Sequence, residues 1–546
     1  GGSITLESIR ISAPSDVPLA LLVFPGEPFA LQLEYDTGRY SPAMARRLLR
    51  CTARALEGLA RPDTRTAAEV DVLDPQDRET LASWSRSPVS EPPVRDVLDL
   101  FDQAVRATPD APAVRDPSTT LTYAELDEAA NRLAHRVLRE SPEAEHLLGI
   151  PADPVAGSIV SILACLKAGR GYVTFDPDQP ETRLRQILEH THRVLARGLD
   201  GARTSAIDTR GLDGEPATPP SVERREDRIA YAVFTSGSTG KPKGVVVERG
   251  ALARSTCARL AWYDTSPGRF LLLSSLAVDS SVAGLYWTLC TGGCLVLPPS
   301  RAEQDVAGLG ALMKREAVST TLLVPGLYQA LLEGVDPTRL ESLDCVVVAG
   351  DVCPASLVAH HHRRLPGVRL VNEYGPSEAT VWATAGDLET GDEARITIGR
   401  PVPFVRLYLL DDAGRRVPPG ASGEICLGGD TLARGYLGTD TPDSDRFVAD
   451  PFRRGGRLYR TGDRGRFRED GRLEFLGRLD HQLKIRGFRV EPGEIERVLQ
   501  SAPGVVEAAV VRADPATPEV DDLVEALLER AGDDAENLLN RLLERA

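Results

Sequence analysis

Apolar positions recur with two different periods along this chain, and the order of those periods predicts its layout. Ala30–Tyr35 reads Ala-Leu-Gln-Leu-Glu-Tyr, the two-residue period of a strand. Ser41–Leu59 then takes up a helical period, with Ser41 placed to cap it and Pro42 at the first helical position. One strand region and one helix cannot bury a core alone. Residues 63–95, rich in Pro, Asp and Ser, read as a linker to the next domain. From residue 96 helical patterns come first: Leu98–Ala107, a helix opened by Leu121 and running to about Glu140, and Ile159–Lys167. Short apolar strands then recur between helical stretches at Phe270–Leu273, Cys294–Leu297, Thr321–Val324, Cys345–Val348 and Arg369–Val371, an α/β pattern. Ile396–Leu476 is richer in strands, with turns at Pro418-Pro419-Gly420, Gly428-Gly429 and Glu469-Asp470-Gly471. After Asp480 the pattern predicts a helix over Val490–Gln500 and a strand over Val505–Val511. Residues 521–546 form two amphipathic helical stretches around Gly532, whose leucine stripes predict a hairpin docked on another surface.

Composition narrows the class. A chain of 546 residues needs more than one core. A net charge of −16 lacks the basic face that a nucleic-acid or membrane-surface protein requires. The most apolar helical run, near Ile159, is broken by Lys167 and Arg170 before it reaches membrane-spanning length. Gly1-Gly2-Ser3 reads as an expression scar, and no signal-peptide pattern follows. The eight cysteines are scattered, with no Cys-x-x-Cys pair, so reduced buried thiols and a cytoplasmic setting are expected. His360-His361-His362 reads as a solvated helix face rather than a metal site.

The chemistry concentrates between two strand-like runs, Ile229–Phe234 and Val245–Val247. The loop they bracket holds the hydroxyls of Thr235, Ser236, Ser238 and Thr239, the glycines Gly237, Gly240 and Gly244, and the cations Lys241 and Lys243. Glycines let backbone N–H groups close on an anion while hydroxyls and ammonium groups complete its shell, so a phosphate chain is the natural guest. It is not a P-loop, since no Gly-Lys-Ser/Thr follows at the required spacing and a strand, not a helix, comes next. Downstream, Tyr374 precedes the forced turn Gly375-Pro376, which would present its ring at a strand end, the edge where open α/β sheets bind ligands. Glu378 offers a hard oxygen ligand for Mg²⁺.

The phosphate loop closely resembles the signature loop of the adenylate-forming superfamily. Six more motifs follow that family's order: Leu121–Leu126, Leu166–Val173 with Asp176-Pro177, Asn372–Glu378, Gly423–Asp430 with Ala433–Leu437, Tyr459–Asp463 and Gly477–Gly487. Over residues 96–515 the chain therefore resembles a nonribosomal peptide synthetase adenylation domain. Residues 4–62, through Leu33-Glu34-Tyr35-Asp36-Thr37 and Arg47-Leu48-Leu49, resemble the C-terminal end of a condensation domain. The resemblance implies a large α/β core with a small β-rich subdomain over 96–478, and the start of a small, incomplete α+β C-terminal subdomain over 479–515. It implies ATP and Mg²⁺ as cofactors, an amino-acid substrate, carrier and condensation domains of the same synthetase as partners, and phosphopantetheine on the carrier. It assigns catalysis to Lys241, Thr239, Glu378 and Lys484, with Glu378 on the metal. It assigns nucleotide binding to Thr235, Ser236, Gly237, Ser238, Gly240, Lys243, Gly350, Asn372, Tyr374, Gly375, Ser377, Asp463 and Arg478, with adenine on Tyr374 and ribose on Asp463, and it makes Asp480 a hinge.

Val278-Asp279-Ser280-Ser281 matches the motif whose aspartate binds an α-ammonium, which favours α-amino acids; Val278 departs from the phenylalanine usual there. The remaining pocket positions would be Ser280, Ala283, Leu323, Val347, Ala349, Glu373, Val381 and Trp382. A carboxylate among apolar neighbours needs a donor or cation. Glu373 therefore predicts a small, hydrogen-bond-donating side chain (serine-like or diaminopropionate-like) or, second, a larger basic one; the other reading points Glu373 at water or a backbone N–H. The family's lysine in an Asn-Gly-Lys motif has no counterpart, and no lysine at all follows Lys484. A shortened chain or absent residues account for this better than loss of activity, given the intact motifs. The alternatives in other classes are an acyl- or aryl-CoA ligase and a non-catalytic scaffold.

Overall fold

The computed structural model describes residues 17–66, 69–88, 92, 94–141, 147–196, 206–236, 242–392, 395–438, 445–480, 482–485, 488–500, 505 and 508–510. The expected tail over 521–546 lies outside them. The chain divides into two units, the first holding residues 1–235 and 242–480 and the second 236–241 and 481–546.

Two large sheets carry the first unit. One is seven-stranded and holds the hairpin of Ile229–Thr235 and Lys243–Glu248, which pair antiparallel with Val233 opposite Val245, next to the short edge strand Gly435–Tyr436. The apolar run before the glycine-rich segment and the β-branched run after it form these strands. The other is nine-stranded. Its centre is parallel, in the order Arg369–Tyr374, Cys345–Ala349, Thr320–Leu323, Arg269–Leu272, Cys294–Val296, with helices between successive strands. Cys345–Ala349 and Cys294–Val296 read as continuous apolar runs because both sheet faces are covered. A five-stranded antiparallel sheet, including Val405–Leu410, Ser422–Gly429 and Arg457–Phe467, forms the β-rich part.

The helix Pro42–Leu59 begins where expected: the Ser41 side chain accepts a hydrogen bond from the Met44 N–H. Leu121, read as helical, instead lies in the strand Thr120–Thr122; the helix Tyr123–Glu140 starts one residue on, with Thr122 and Glu125 forming a capping box. The stretch read as a linker contains a helix, Pro75–Trp84, capped by Asp74. Its Asp77, 1% exposed, accepts from Arg47 at 2.9 Å, which ties the N-terminal helix to it. His361 corrects the solvated-face reading of the histidine run. It is buried, its Nδ1 lies 2.5 Å from the Tyr328 hydroxyl, and its Nε2 lies 2.8 Å from the Val368 carbonyl oxygen. One face of the helix Ala355–Arg364 packs inward, and the middle histidine falls on it.

In the second unit, Leu483–Ile485 pairs antiparallel with Phe488–Val490, and the helix Pro492–Gln500 follows. Lys484 lies in the first of these strands, opposite Arg489. Residues 505 and 508–510, within the strand expected over Val505–Val511, carry no strand. Among the described residues, no helix is long and apolar enough to cross a membrane.

Candidate active site

The strand Arg369–Tyr374 organises the site, because adjacent side chains on a strand face opposite ways. Tyr374 turns to one face, where its hydroxyl donates to Asp463 Oδ2 at 2.5 Å and its ring lies 6.2 Å from that of Phe475. Asp463 comes from Arg457–Phe467, and its other oxygen accepts from Arg478 Nη1 at 2.6 Å. Arg478 also donates Nε to Asp480 Oδ1 at 2.6 Å, and Asp480 accepts from Arg446 at 3.0 Å. Burial alone would raise the Asp480 carboxyl, but Arg478 and Arg446 hold it far below the usual carboxylate range. Burial, then the Asp463 charge, pushes the Tyr374 phenol well up, so it stays a donor. Four predicted residues, Tyr374, Asp463, Arg478 and Asp480, thus form one connected network. Arg446 completes it and carried no motif signal.

Beyond Tyr374 the chain must turn sharply. A Cβ on Gly375 would stand 2.4 Å from the Trp382 Cα and 2.7 Å from the Val381 carbonyl oxygen, so only glycine fits. The chain folds back through Thr380 and Val381, both in the left-handed region at φ 57° and 80°. That conformation is costly for β-branched residues. It is held by the Thr380 hydroxyl donating to the Thr431 carbonyl at 2.6 Å and the Ser255 hydroxyl donating to the Thr380 carbonyl at 2.8 Å. The short helix Ser377–Ala379 in this turn buries Glu378 completely. Glu378 accepts from the Tyr436 hydroxyl at 2.7 Å and lies 3.6 Å from Lys243 Nζ, which sits 4.9 Å over the Tyr436 ring. A predicted phosphate lysine and the predicted metal ligand therefore meet. Thr235, at the end of its strand, keeps a buried hydroxyl with no hydrogen bond among the described residues. An anion and a divalent cation fit this set: an ammonium group, a carboxylate and an orphaned hydroxyl. Gly237, Ser238, Thr239, Gly240 and Lys241 lie outside the described residues, and Ser236 belongs to the second unit.

Asn372, on the Tyr374 side of the strand, spends its amide on the Thr397 carbonyl at 2.8 Å, which fixes the strand rather than leaving that N–H for a ligand. Gly350 ends the neighbouring strand at φ 83°.

Asp279 stands at the start of the helix Ser280–Leu289, and its side chain makes no capping hydrogen bond to that helix. Gly284 lets that helix lie against the sheet, since a Cβ there would stand 2.2 Å from the Phe270 ring. Ala283 packs in the main core, and beside Asp279 lies the buried Tyr231, whose phenol is pushed up by burial first and then by the Asp279 charge. Val347 and Ala349 share a sheet face with Glu373, as Ala349 pairs with Glu373. Leu323 does not: Leu322 pairs with Val347, and Leu323, paired with Val348, packs in the separate cluster on the opposite face. The one-residue offset flips it away from the other pocket positions.

Glu373 also departs from expectation. Its two oxygens accept from Arg259 Nη1 and Nη2 at 2.5 and 2.8 Å, and Oε1 accepts from the Tyr263 hydroxyl at 2.5 Å. The donor that the sequence placed on a substrate is supplied by the helix Arg249–Tyr263. Trp382 lies over the same guanidinium, 4.1 Å from ring centroid to Cζ. Arg259 and Tyr263 were missed because only the fold brings residues 110 or more positions apart together. Their one sequence signal is the spacing of an arginine and a tyrosine on one helix face.

A family profile described as AMP-binding enzyme matches residues 101–437. The chain is 35% identical over 515 residues to bacitracin synthase 3 of Bacillus licheniformis, covering 93% of this chain and 8% of that protein. Among solved structures it resembles the nonribosomal peptide synthetase FmoA3, with a TM-score of 0.77 and 27% identity over 86% of this chain and 52% of that one. It also resembles holo-PA1221, a protein containing adenylation and PCP domains bound to a vinylsulfonamide inhibitor, with a TM-score of 0.69, 28% identity and 78% of each chain covered. The chain spans less than a tenth of the length of bacitracin synthase 3.

Proposed function

The chain belongs to the AMP-binding enzyme family, and from that premise we propose that it activates an α-amino acid with ATP and hands the product to a carrier-bound thiol in nonribosomal peptide synthesis. The observation that carries this reading is the strand end at Tyr374, from which one network leads to Asp463 and Arg478 while the following turn brings Glu378 to Lys243. The first set suits a nucleoside: Tyr374 an apolar ring beside the adenine, Asp463 a carboxylate for ribose hydroxyls. The second suits its phosphates. Asp279, with its negative charge at a helix start, suits an α-ammonium group.

A substrate carboxylate oxygen attacks the α-phosphorus, the bond to the β-phosphate oxygen breaks, and pyrophosphate leaves. Lys243 stabilises charge spread over the phosphates. Glu378 would hold Mg²⁺, which supplies Lewis-acid neutralisation of phosphate oxygens when bound. A thiolate then attacks the acyl carbon and AMP leaves. A phosphopantetheine thiol on a carrier domain is the acceptor this reading favours, and holo-PA1221 pairs adenylation and PCP domains in one chain.

The test is exchange of labelled pyrophosphate into ATP across a panel of acids with the full-length protein. Exchange dependent on an α-amino acid supports the reading. Exchange with plain carboxylic acids alone makes the protein an acyl- or aryl-acid ligase, and exchange with no acid makes it a non-catalytic scaffold.

A further inference from the structure

The Arg259–Glu373 pair asks why a full positive and a full negative charge are buried together, their side chains 3% and 2% exposed. Stability is a poor reason, because well-packed apolar residues generally serve as well as a buried ion pair. Its location is more informative. Glu373 and Trp382 both fall at positions expected to contact the substrate side chain, and the Arg259 guanidinium bridges them by a bidentate bond on one side and a ring face on the other. Burial disfavours the charged guanidinium, and the Glu373 carboxylate together with Tyr263 more than offsets this. The next charge outward, Arg369, lies 4.7 Å from the Trp262 ring and is itself paired with Asp387 at 2.5 Å. Each positive charge in this aromatic cluster thus has its own carboxylate.

We propose that Arg259 is a specificity-determining residue, whose pair with Glu373 keeps this end of the amino-acid site electrically neutral and reserves it for an uncharged side chain. This rests on the amino-acid reading above and names its substrate class. A cationic side chain brought here would meet a carboxylate already neutralised, and would leave one charge buried without a counter-charge. Of the side chains expected from sequence, the serine-like one survives and the diaminopropionate-like and larger basic ones do not.

The probes are aminoacyl-sulfamoyladenosines, unreactive mimics of an aminoacyl-adenylate, titrated against the full chain by calorimetry. Two isosteric couples isolate charge: 2-aminobutyrate against 2,3-diaminopropionate, and asparagine against aspartate. The wild type binds the neutral member of each couple more tightly. Arg259→Met leaves the Glu373 carboxylate unmatched and moves the first ratio toward the cation by about 100-fold or more. Glu373→Gln leaves the guanidinium unmatched and moves the second ratio toward aspartate by a similar factor, while Arg259→Lys keeps the wild-type ratios. The two single variants shift in opposite directions, so either alone decides the matter if the other fails to fold. A wild-type preference for the cationic member overturns the proposal, as does a shift below about threefold in a folded variant. A wild type that binds ATP but no aminoacyl mimic overturns the amino-acid reading itself, and this inference with it.

Discussion

Replacing Asp463 with Asn tests the proposed nucleotide site at its most connected point. Two donors converge on this carboxylate, the Tyr374 hydroxyl at 2.5 Å on Oδ2 and Arg478 Nη1 at 2.6 Å on Oδ1. An amide keeps one acceptor oxygen and turns an N–H₂ toward the other donor, so one of the two bonds must fail. Hydrogen bonds to charged groups contribute about 1.5–3 kcal/mol each. Arg478 is not orphaned, since it keeps Asp480 through Nε at 2.6 Å and Nη2 at 2.7 Å. The stability loss should therefore stay near that one bond, about 1.5–3 kcal/mol, read from the urea midpoint. If Asp463 also accepts from a ribose, AMP affinity falls by a further factor of about 10–150 in calorimetric titration. Tyr374→Phe is the control: it removes one donor but leaves the ring and the carboxylate, and costs AMP binding about threefold or less. An Asp463→Asn protein that loses stability as calculated yet binds AMP as the wild type does would refute the ribose assignment.

Gly375→Ala forces a Cβ to 2.4 Å from the Trp382 Cα and 2.7 Å from the Val381 carbonyl oxygen, backbone that cannot swing aside, and should cost more than about 3 kcal/mol in urea unfolding; a cost under about 1 kcal/mol would contradict that packing. Lys243→Met removes the ammonium group 3.6 Å from the fully buried Glu378 carboxylate and should cut pyrophosphate exchange by about 100-fold, whereas Tyr436→Phe, which removes a neutral donor, should cost about tenfold or less. His361 is held neutral, its pKa lowered to about 4 by burial first, against an ordinary value of 6.5. Its folded value lies below its unfolded one, so its contribution is complete above about pH 6.5 and is lost as pH falls toward 4, up to about 3 kcal/mol. His361→Gln should flatten the stability change between pH 7 and 5, and an unchanged slope would assign it elsewhere.

Much of the fold was legible because local signals agreed with one another. Ser41-Pro42 marked a helix start, and an apolar run and a β-branched run flanking glycines and hydroxyls marked the hairpin of Ile229–Thr235 and Lys243–Glu248. The Tyr374, Asp463 and Arg478 network was legible as motifs, though only the structure shows that they touch. Three readings failed for reasons that periodicity does not carry. Leu323 sits one residue out of phase with the pocket face, which alternation alone cannot fix without the register against Val348. Glu373 was read without its partner, because Arg259 lies on another element and meets it only when the helix Arg249–Tyr263 packs on the sheet. The histidine run looked uniformly polar, yet a helix turns about 100° per residue and buries the middle imidazole.

The proposed function turns on attack of a substrate carboxylate at the α-phosphorus of ATP. It is tested most directly by supplying the full-length protein with ATP and an amino acid labelled with ¹⁸O in its carboxylate, with hydroxylamine to trap the acyl group. AMP carrying one ¹⁸O is the expected product, because the bridging oxygen leaves with the nucleotide. Label in inorganic phosphate with ADP as the nucleotide product, or AMP free of label, would contradict it.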